Sequence, residues 1–162
     1  MAPRSACAAI ALTLLALALG QPAAAASAGP AKGFGRTADP LEGAKNAIRL
    51  KNFTGAQSDL QRLADAGNAE AQYLLAVFFL NGLGGPRDLA QAKLWLEKSA
   101  AQGNARAAFM LAETYDPIVL EKLGELGLAS NVAMARIWYS KAKDLGSEGA
   151  PECLERLARR SD

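Results

Sequence analysis

Apolar residues in the middle of the chain recur at the spacing of an α-helix, and they do so in paired segments. The first segment predicts a helix from about residue 69 to 80 with one apolar stripe: Ala71, Leu75, Ala76 and Phe79. Asn81-Gly82 then supplies residues that commonly end a helix. Asp88, a favourable N-terminal residue, opens a second helix. The stripe of this helix has the same spacing: Leu89, Ala92, Trp95, Leu96 and Ser99.

This helix pair is repeated with a period of 36 residues. The segment GNAEAQ at 67–72 returns as GNARAA at 103–108. Towards the C-terminus the offset grows to 43, so seven residues are inserted between Tyr115 and Gly127. The stripe of the second helix then returns as Val132, Ala135, Trp138 or Tyr139, Ala142 and Leu145. Repeats of this length are typical of solenoids built from stacked helix pairs.

The pattern therefore predicts an all-α protein, an αα-hairpin solenoid. Small side chains at fixed repeat positions let two helix backbones approach closely, and a tryptophan fills the wider part of the gap. The glycines between the helices are best explained as a helix–helix turn. We expect the following residues to hold the repeats together: Ala71, Leu75, Gly82, Gly84, Ala92, Trp95, Ala135 and Trp138.

At these spacings the residues resemble the Sel1-like repeat, a subclass of the tetratricopeptide superfamily. The glycine loop Gly82-Leu83-Gly84 and the run from Trp95 to Lys98-Ser99-Ala100 carry the resemblance. It implies a scaffold for protein–protein contact, without chemistry of its own. Secreted bacterial members of this family often serve envelope signalling or exopolysaccharide systems, so the resemblance implies a role of that kind.

The resemblance divides the repeat domain, 40–160, into four parts. These are a degenerate first pair at 40–67, a full repeat at 68–103, a repeat with an insertion at about 116–126 within 104–146, and a capping helix at 147–160. We expect the turn of the first pair at Phe53-Thr54-Gly55. Pro151 is expected at the start of the capping helix.

The first 26 residues predict a secretory signal peptide. Arg4 precedes an uncharged stretch at 6–19, and Ala24-Ala25-Ala26 offers small residues before cleavage at Ser27. Cleavage before Gly29 is the alternative site, and a retained membrane anchor is the alternative interpretation, although the stretch is short for a span. Residues 27–39 predict a flexible leader. We therefore expect a periplasmic or secreted protein with no membrane span after cleavage.

The composition argues against catalysis and against nucleic-acid binding. The absence of histidine excludes Ser-His-Asp and Cys-His nucleophile activation and removes the commonest zinc ligand. The chain has 18 basic and 16 acidic residues, so its net positive charge is too small to attract nucleic acid. The loop at 82–85 lacks the preceding strand and the following Lys-Ser/Thr of a phosphate loop. We expect no enzyme, cofactor or metal, and no catalytic residue.

Two remaining features concern the last helix. After signal cleavage Cys153 would be the chain's single cysteine, which predicts either a small buried residue or an intermolecular bridge or reactive thiol. Arg156, Arg159 and Arg160 predict favourable charge at a helix C-terminus, with contact to an anionic lipid or polymer as the alternative.

Two surfaces are candidates for binding a partner protein. On the first helices, Leu74 and Phe78, with Phe109 beside them, form either a hydrophobic groove for a peptide or a core buried by neighbouring units. In the insertion, Asp116-Pro117 predicts the start of a short helix at about 117–123. Its apolar residues either pack onto the second and third units or form a projecting lip that docks a partner: Ile118, Val119 and Leu120.

The functional hypothesis is an exported, non-enzymatic scaffold that binds another protein through the groove and the inserted loop. Its role would be the regulation of envelope signalling or exopolysaccharide production. An accessory protein associated with envelope polysaccharide or peptidoglycan is the alternative, and it predicts exposed aromatic platforms. About three units are few for a lone solenoid, so homodimerisation and stabilisation by a partner are further expectations.

Overall fold

A computed structural model describes residues 39–123 and 130–159, and every helix or strand within those ranges is an α-helix. The helices are α1 (Glu42–Arg49), α2 (Phe53–Asp65), α3 (Ala69–Asn81), α4 (Leu89–Ala101), α5 (Ala105–Glu113), α6 (Pro117–Leu123), α7 (Val132–Asp144) and α8 (Ala150–Arg159). The predicted all-α class is confirmed. The signal peptide, the leader up to residue 38 and the end of the insertion lie outside the described residues.

The helices pack in chain order, as they do in a solenoid. Helix α1 contacts α2, α2 contacts α3, α3 contacts α4, and α4 contacts α5. The order is then interrupted, because α5 packs against α7 and the inserted α6 lies between them in the chain. Helix α8 closes the stack on α7. The insertion is thus accommodated without disturbing the α5–α7 helix pair.

The same capping residues begin the same helix in successive repeats. Asn68 and Asn104, 36 residues apart, each accept a hydrogen bond from a backbone N–H of the first helical turn, at 2.8 and 3.1 Å. The second helices α2, α4 and α7 are capped in the same way by Asn52, Asp88 and Asn131. A cap of this kind contributes about 1 kcal/mol. The repeat therefore fixes helix starts as well as apolar stripes.

The repeat-positioned small residues lie in the core. Ala71, Leu75, Ala92 and Ala135 are fully buried, and Trp95 is buried as well. Trp138 is half-buried, and Lys141 lies over its ring at 4.9 Å, as Lys98 lies over Trp95 at 4.0 Å. Gly82 is the C-cap of α3. Gly84 lies so close to α2 that a Cβ atom there would be 2.6 Å from the carbonyl oxygen of Phe53.

Three details of the predicted packing are wrong. Val132 and Leu145 were assigned to the buried stripe of α7, yet they are 38% and 37% exposed, because they lie at the two ends of the helix. Phe53-Thr54-Gly55 begins α2 instead of forming the turn before it, since Asn52 accepts a hydrogen bond from the N–H of Gly55 and so starts the helix there.

Cys153 is fully buried on α8, as one of the two interpretations predicts. The expectation of a single cysteine concerns the chain after signal cleavage, and the other cysteine of the full chain, Cys7, lies outside the described residues. Within the described ranges no helix is long and apolar enough to cross a membrane.

Candidate protein-interaction site

The predicted groove on the first helices is closed. Leu74 and Phe78 are both buried, and the Phe78 ring packs edge-on against Phe53 with centroids 6.2 Å apart. The reason is that α3 lies between α2 and α4, so its apolar side chains are covered around the whole helix from residue 71 to 78. Phe109 is half-buried and packs edge-on against Tyr139, with centroids 5.4 Å apart. The hypothesis of an exposed docking patch at Leu74 and Phe78 is wrong, and the core alternative describes them.

The inserted helix begins where the sequence predicts. Asp116 precedes α6 and accepts a hydrogen bond from the N–H of Ile118 at 2.9 Å, with Pro117 as the first helical residue. Val119 is buried, whereas Ile118 and Leu120 are half-buried. The packed interpretation therefore holds for Val119, and Ile118 and Leu120 keep part of their apolar surface in solvent.

A buried polar cluster forms where α5, α6, α7 and α8 meet. The carboxylate of Asp116 is fully buried, and its Oδ2 accepts hydrogen bonds from the Tyr139 hydroxyl, at 3.0 Å, and from Nη2 of Arg156. Tyr139 lies on α7 and Arg156 on α8. One carboxylate thus joins the start of the inserted helix to both helices that follow it in the chain.

A second carboxyl group faces this cluster. Glu113, the last residue of α5, is 4% exposed. The pKa of Glu113 is raised to about 8, mainly by burial and further by the negative charge of Asp116, while Arg156 opposes both effects. Burial also raises the pKa of Tyr139 above its usual range, with Glu113 and Asp116 adding to the effect. At neutral pH the Glu113 carboxyl therefore holds a proton.

Sequence reasoning missed this cluster, although the repeat itself carries the signal. Thirty-six residues before Glu113 and Asp116 stand Val77 and Leu80, so two apolar positions of one repeat become acidic in the next. Arg156 lies in the last turn of α8, as the sequence predicts, and its guanidinium also points to Asp116; its Nε is buried with no hydrogen-bond partner among the described residues. By contrast, exposed Arg159 pairs within α8, with Glu155.

Two large apolar side chains are exposed at equivalent positions on the second helices of the repeats. Leu94 on α4 is 44% exposed and Ile137 on α7 is 58% exposed. These two residues occupy the same repeat position, 43 residues apart. Each also follows an exposed alanine by one helical turn, Ala90 and Ala133. The two residues lie outside the buried stripe, and the repeat offset of 43 is the sequence signal that relates them.

The repeats are also joined by polar contacts on the first helices. Glu70 on α3 accepts hydrogen bonds from Arg106, at 2.5 Å, and from Asn104, at 3.2 Å. The Arg106 guanidinium lies 4.9 Å from the centre of the Tyr73 ring. Among the described residues, no group of three or more Cys, Asp or Glu side chains is placed to hold a metal ion.

Helix pairs with a repeated cap and a repeated core define a helical-repeat protein of the solenoid class. The Sel1 repeat family matches residues 69–104 and 105–147. Residues 69–147 are thus two Sel1 repeats. The second matched segment spans the residues of the insertion. Sel1 repeat proteins are generally scaffolds for protein–protein contact.

Solved structures with this fold support the assignment. A Sel1 repeat protein from Oxalobacter formigenes superposes with a TM-score of 0.60 at 25% identity, covering 72% of this chain and 86% of that one. A protective antigen of uropathogenic Escherichia coli strains, which displays an SLR fold, superposes with a TM-score of 0.64 at 23% identity. That match covers 75% of this chain and 25% of the other.

One curated relative has a functional name. It is the chitin synthase regulator SKT5 of Malassezia restricta, which is 41% identical over 51 residues. The match covers 32% of this chain and 4% of the relative. The similarity is therefore confined to a small part of a much longer protein.

Proposed function

We propose that this protein is an exported scaffold of the bacterial cell envelope that binds an apolar segment of another protein. The observation that carries the proposal is the pair Leu94 and Ile137, exposed at the same position of two successive Sel1 repeats. A periodic apolar surface on rigid helices suits an extended or helical partner segment with apolar anchors at regular intervals. Ile118 and Leu120 on α6, both half-buried, supply the specificity element that distinguishes this chain from a regular repeat.

We propose that the protein, when bound to its partner, regulates exopolysaccharide production or envelope signalling. The relative named as a chitin synthase regulator supports a link to polysaccharide synthesis, and its match is to a short segment only. The signal peptide that the sequence predicts at 1–26 supports a periplasmic or secreted location. Intact-mass analysis of the exported protein tests this location: a chain that begins at Ser27 or Gly29 supports it, and a chain that keeps residues 1–26 contradicts it.

The alternative, direct association with envelope polysaccharide, predicts exposed aromatic platforms. In the part of the chain that the structure describes, every aromatic side chain is buried or half-buried. Flat exposed rings are therefore not offered there, and a protein partner is the preferred occupant of the surface.

Site-specific photo-crosslinking in living cells tests the binding proposal. A photoreactive residue replaces exposed Gln91, one helical turn before Leu94. We expect a discrete, protease-sensitive adduct that the double variant Leu94→Ser/Ile137→Ser reduces at least tenfold. Leu50→Ser is the matched control, because Leu50 is exposed but lies at the α1–α2 turn. An adduct unchanged in the double variant, or one removed by glycosidases, overturns the proposal.

A further inference from the structure

We propose that a proton on Glu113 locks the inserted helix α6 and the capping helix α8 onto the repeat stack, and that loss of this proton loosens both helices. The lock is a conformational device of the fold. It does not depend on the identity of the partner or on the location of the protein.

The lock follows first from the connections of Asp116. Its carboxylate accepts hydrogen bonds from the backbone at the start of α6, from the α7 hydroxyl of Tyr139 and from the α8 guanidinium of Arg156. Helix α6 has seven residues, too few to be stable without such support. The attachment of α6 and the position of α8 therefore depend on the same carboxylate.

The charge balance of the cluster makes this attachment sensitive to a proton. Two buried carboxyls, Glu113 and Asp116, face one guanidinium, and Arg156 is already engaged by Asp116. The Asp116 carboxylate takes up this guanidinium and accepts two further hydrogen bonds, from the Ile118 N–H and the Tyr139 hydroxyl. A second negative charge at Glu113 would then stand in the buried cluster without a counter-charge of its own, which is costly in a protein interior.

The groups that interact electrostatically with Glu113 come from several elements of the fold. Asp116 faces it from the α5–α6 turn, Arg156 from α8, Tyr139 from α7 and Tyr73 from α3. Burial raises the pKa of Tyr73 to about 12 and holds the pKa of Tyr139 above its usual range, so both phenols stay neutral below pH 9. Arg156 stays charged throughout. Between the pH range in which ordinary carboxyls titrate and pH 9, the carboxyl of Glu113 is therefore the group of this cluster whose charge changes.

The sign of the pH effect follows from linkage. Burial raises the pKa of Glu113 from 4.5 to about 8 in the packed state, while an opened state that exposes this carboxyl returns it towards 4.5. The opened state therefore releases a proton that the packed state keeps, and rising pH favours opening between these two values. The opening equilibrium rises at most about tenfold per pH unit in this window and levels off above it.

Hydrogen exchange on the full chain at pH 6 and pH 8 tests the lock, with protection factors corrected for the base catalysis of exchange. We expect the protection of α6 and α8 amides to fall by more than tenfold, up to about 100-fold, between the two pH values. Amides of α2, which is remote from the cluster in packing order, are expected to change much less. Glu113→Gln, which mimics the protonated carboxyl, should keep the α6 and α8 protection level.

Glu155→Gln is the control, because it removes an exposed carboxyl from the same capping helix. It should behave like the wild type. If Glu113→Gln does not fold, Asp116→Asn removes the neighbouring negative charge instead and should reduce the fall between pH 6 and 8. The proposal is overturned if the protection of α6 and α8 amides in the wild type is the same at pH 6 and pH 8. It is also overturned if this protection falls as much in Glu113→Gln or Asp116→Asn as in the wild type.

Discussion

Arg156 on the capping helix and Asp116 before the inserted helix are 40 residues apart in the chain, and they form a salt bridge in which the carboxylate is fully buried. A buried pair of this kind adds little net stability by itself, because both charges must leave water. Its consequence is positional: it requires the capping helix and the insertion to be in place together. A regular solenoid repeat needs no such salt bridge. Here the residue that precedes the inserted helix, Asp116, supplies the carboxylate that holds the insertion to the capping helix.

Replacing Asp116 with alanine should destabilise the protein by about 3–5 kcal/mol, because Arg156 and the Tyr139 hydroxyl lose their shared acceptor in the interior. Urea denaturation followed by circular dichroism at pH 7 measures this loss. Asp39→Ala is the matched comparison: Asp39 pairs with Lys45 near the N-terminal end of the described chain, where its carboxylate is exposed. That change should cost about 1 kcal/mol or less. Equal costs for the two variants would contradict a structural role for the buried pair.

The sequence predicted what depends on local periodicity. The helices, their caps at Asn81-Gly82 and Asp88 and the short helix after Asp116 follow from patterns within a few residues. The repeat offset placed Ala92 and Ala135 in equivalent core positions. None of these needs knowledge of which distant segments meet.

What could not be predicted depends on distant neighbours. Leu74 and Phe78 extend the apolar arc of one helix, and only the packing of α2 and α4 against α3 decides that they are core. The role of Asp116 likewise depends on Arg156, which α7 and α8 bring back to it. The exchange of Val77 and Leu80 for Glu113 and Asp116 in the next repeat was visible in the sequence. Its meaning required a partner charge that periodicity does not supply.

Replacing Ala92 with leucine should destabilise the protein by about 1–3 kcal/mol, because the fully buried methyl group lies where two helices pack closely. Ala135→Leu, at the same position of the next repeat, should give a similar loss. Thermal denaturation of both variants measures it. Ala90→Leu, on the exposed face of the same helix as Ala92, is the control and should be nearly neutral. A stable Ala92→Leu protein would show that the helix pair has room that the structure does not indicate.

Two glycines with similar backbone angles should respond differently to alanine. Gly84 and Gly67 both have positive φ, 79° and 89°, so either substitution strains the backbone by about 1 kcal/mol. At Gly84 the new Cβ would also approach the Phe53 carbonyl oxygen to 2.6 Å, whereas at Gly67 nothing lies within 4 Å. Gly84→Ala should therefore lower the midpoint of urea unfolding more than Gly67→Ala. The reverse order would mean that the α3–α4 loop does not pack against α2 in solution.

Global stability should fall with rising pH in the range where most carboxyls no longer titrate. Glu113 has its pKa raised from 4.5 to about 8 in the folded protein, so its stabilising effect is complete below 4.5 and is lost as the pH approaches 8. The free energy of unfolding should decrease by up to about 1.4 kcal/mol per pH unit across this window and change little immediately above it. Urea titrations at half-unit intervals from pH 5 to 9 measure the slope. Glu113→Gln should flatten it while Glu155→Gln retains it, and parallel slopes in all three proteins would show that Glu113 is ionised in the fold.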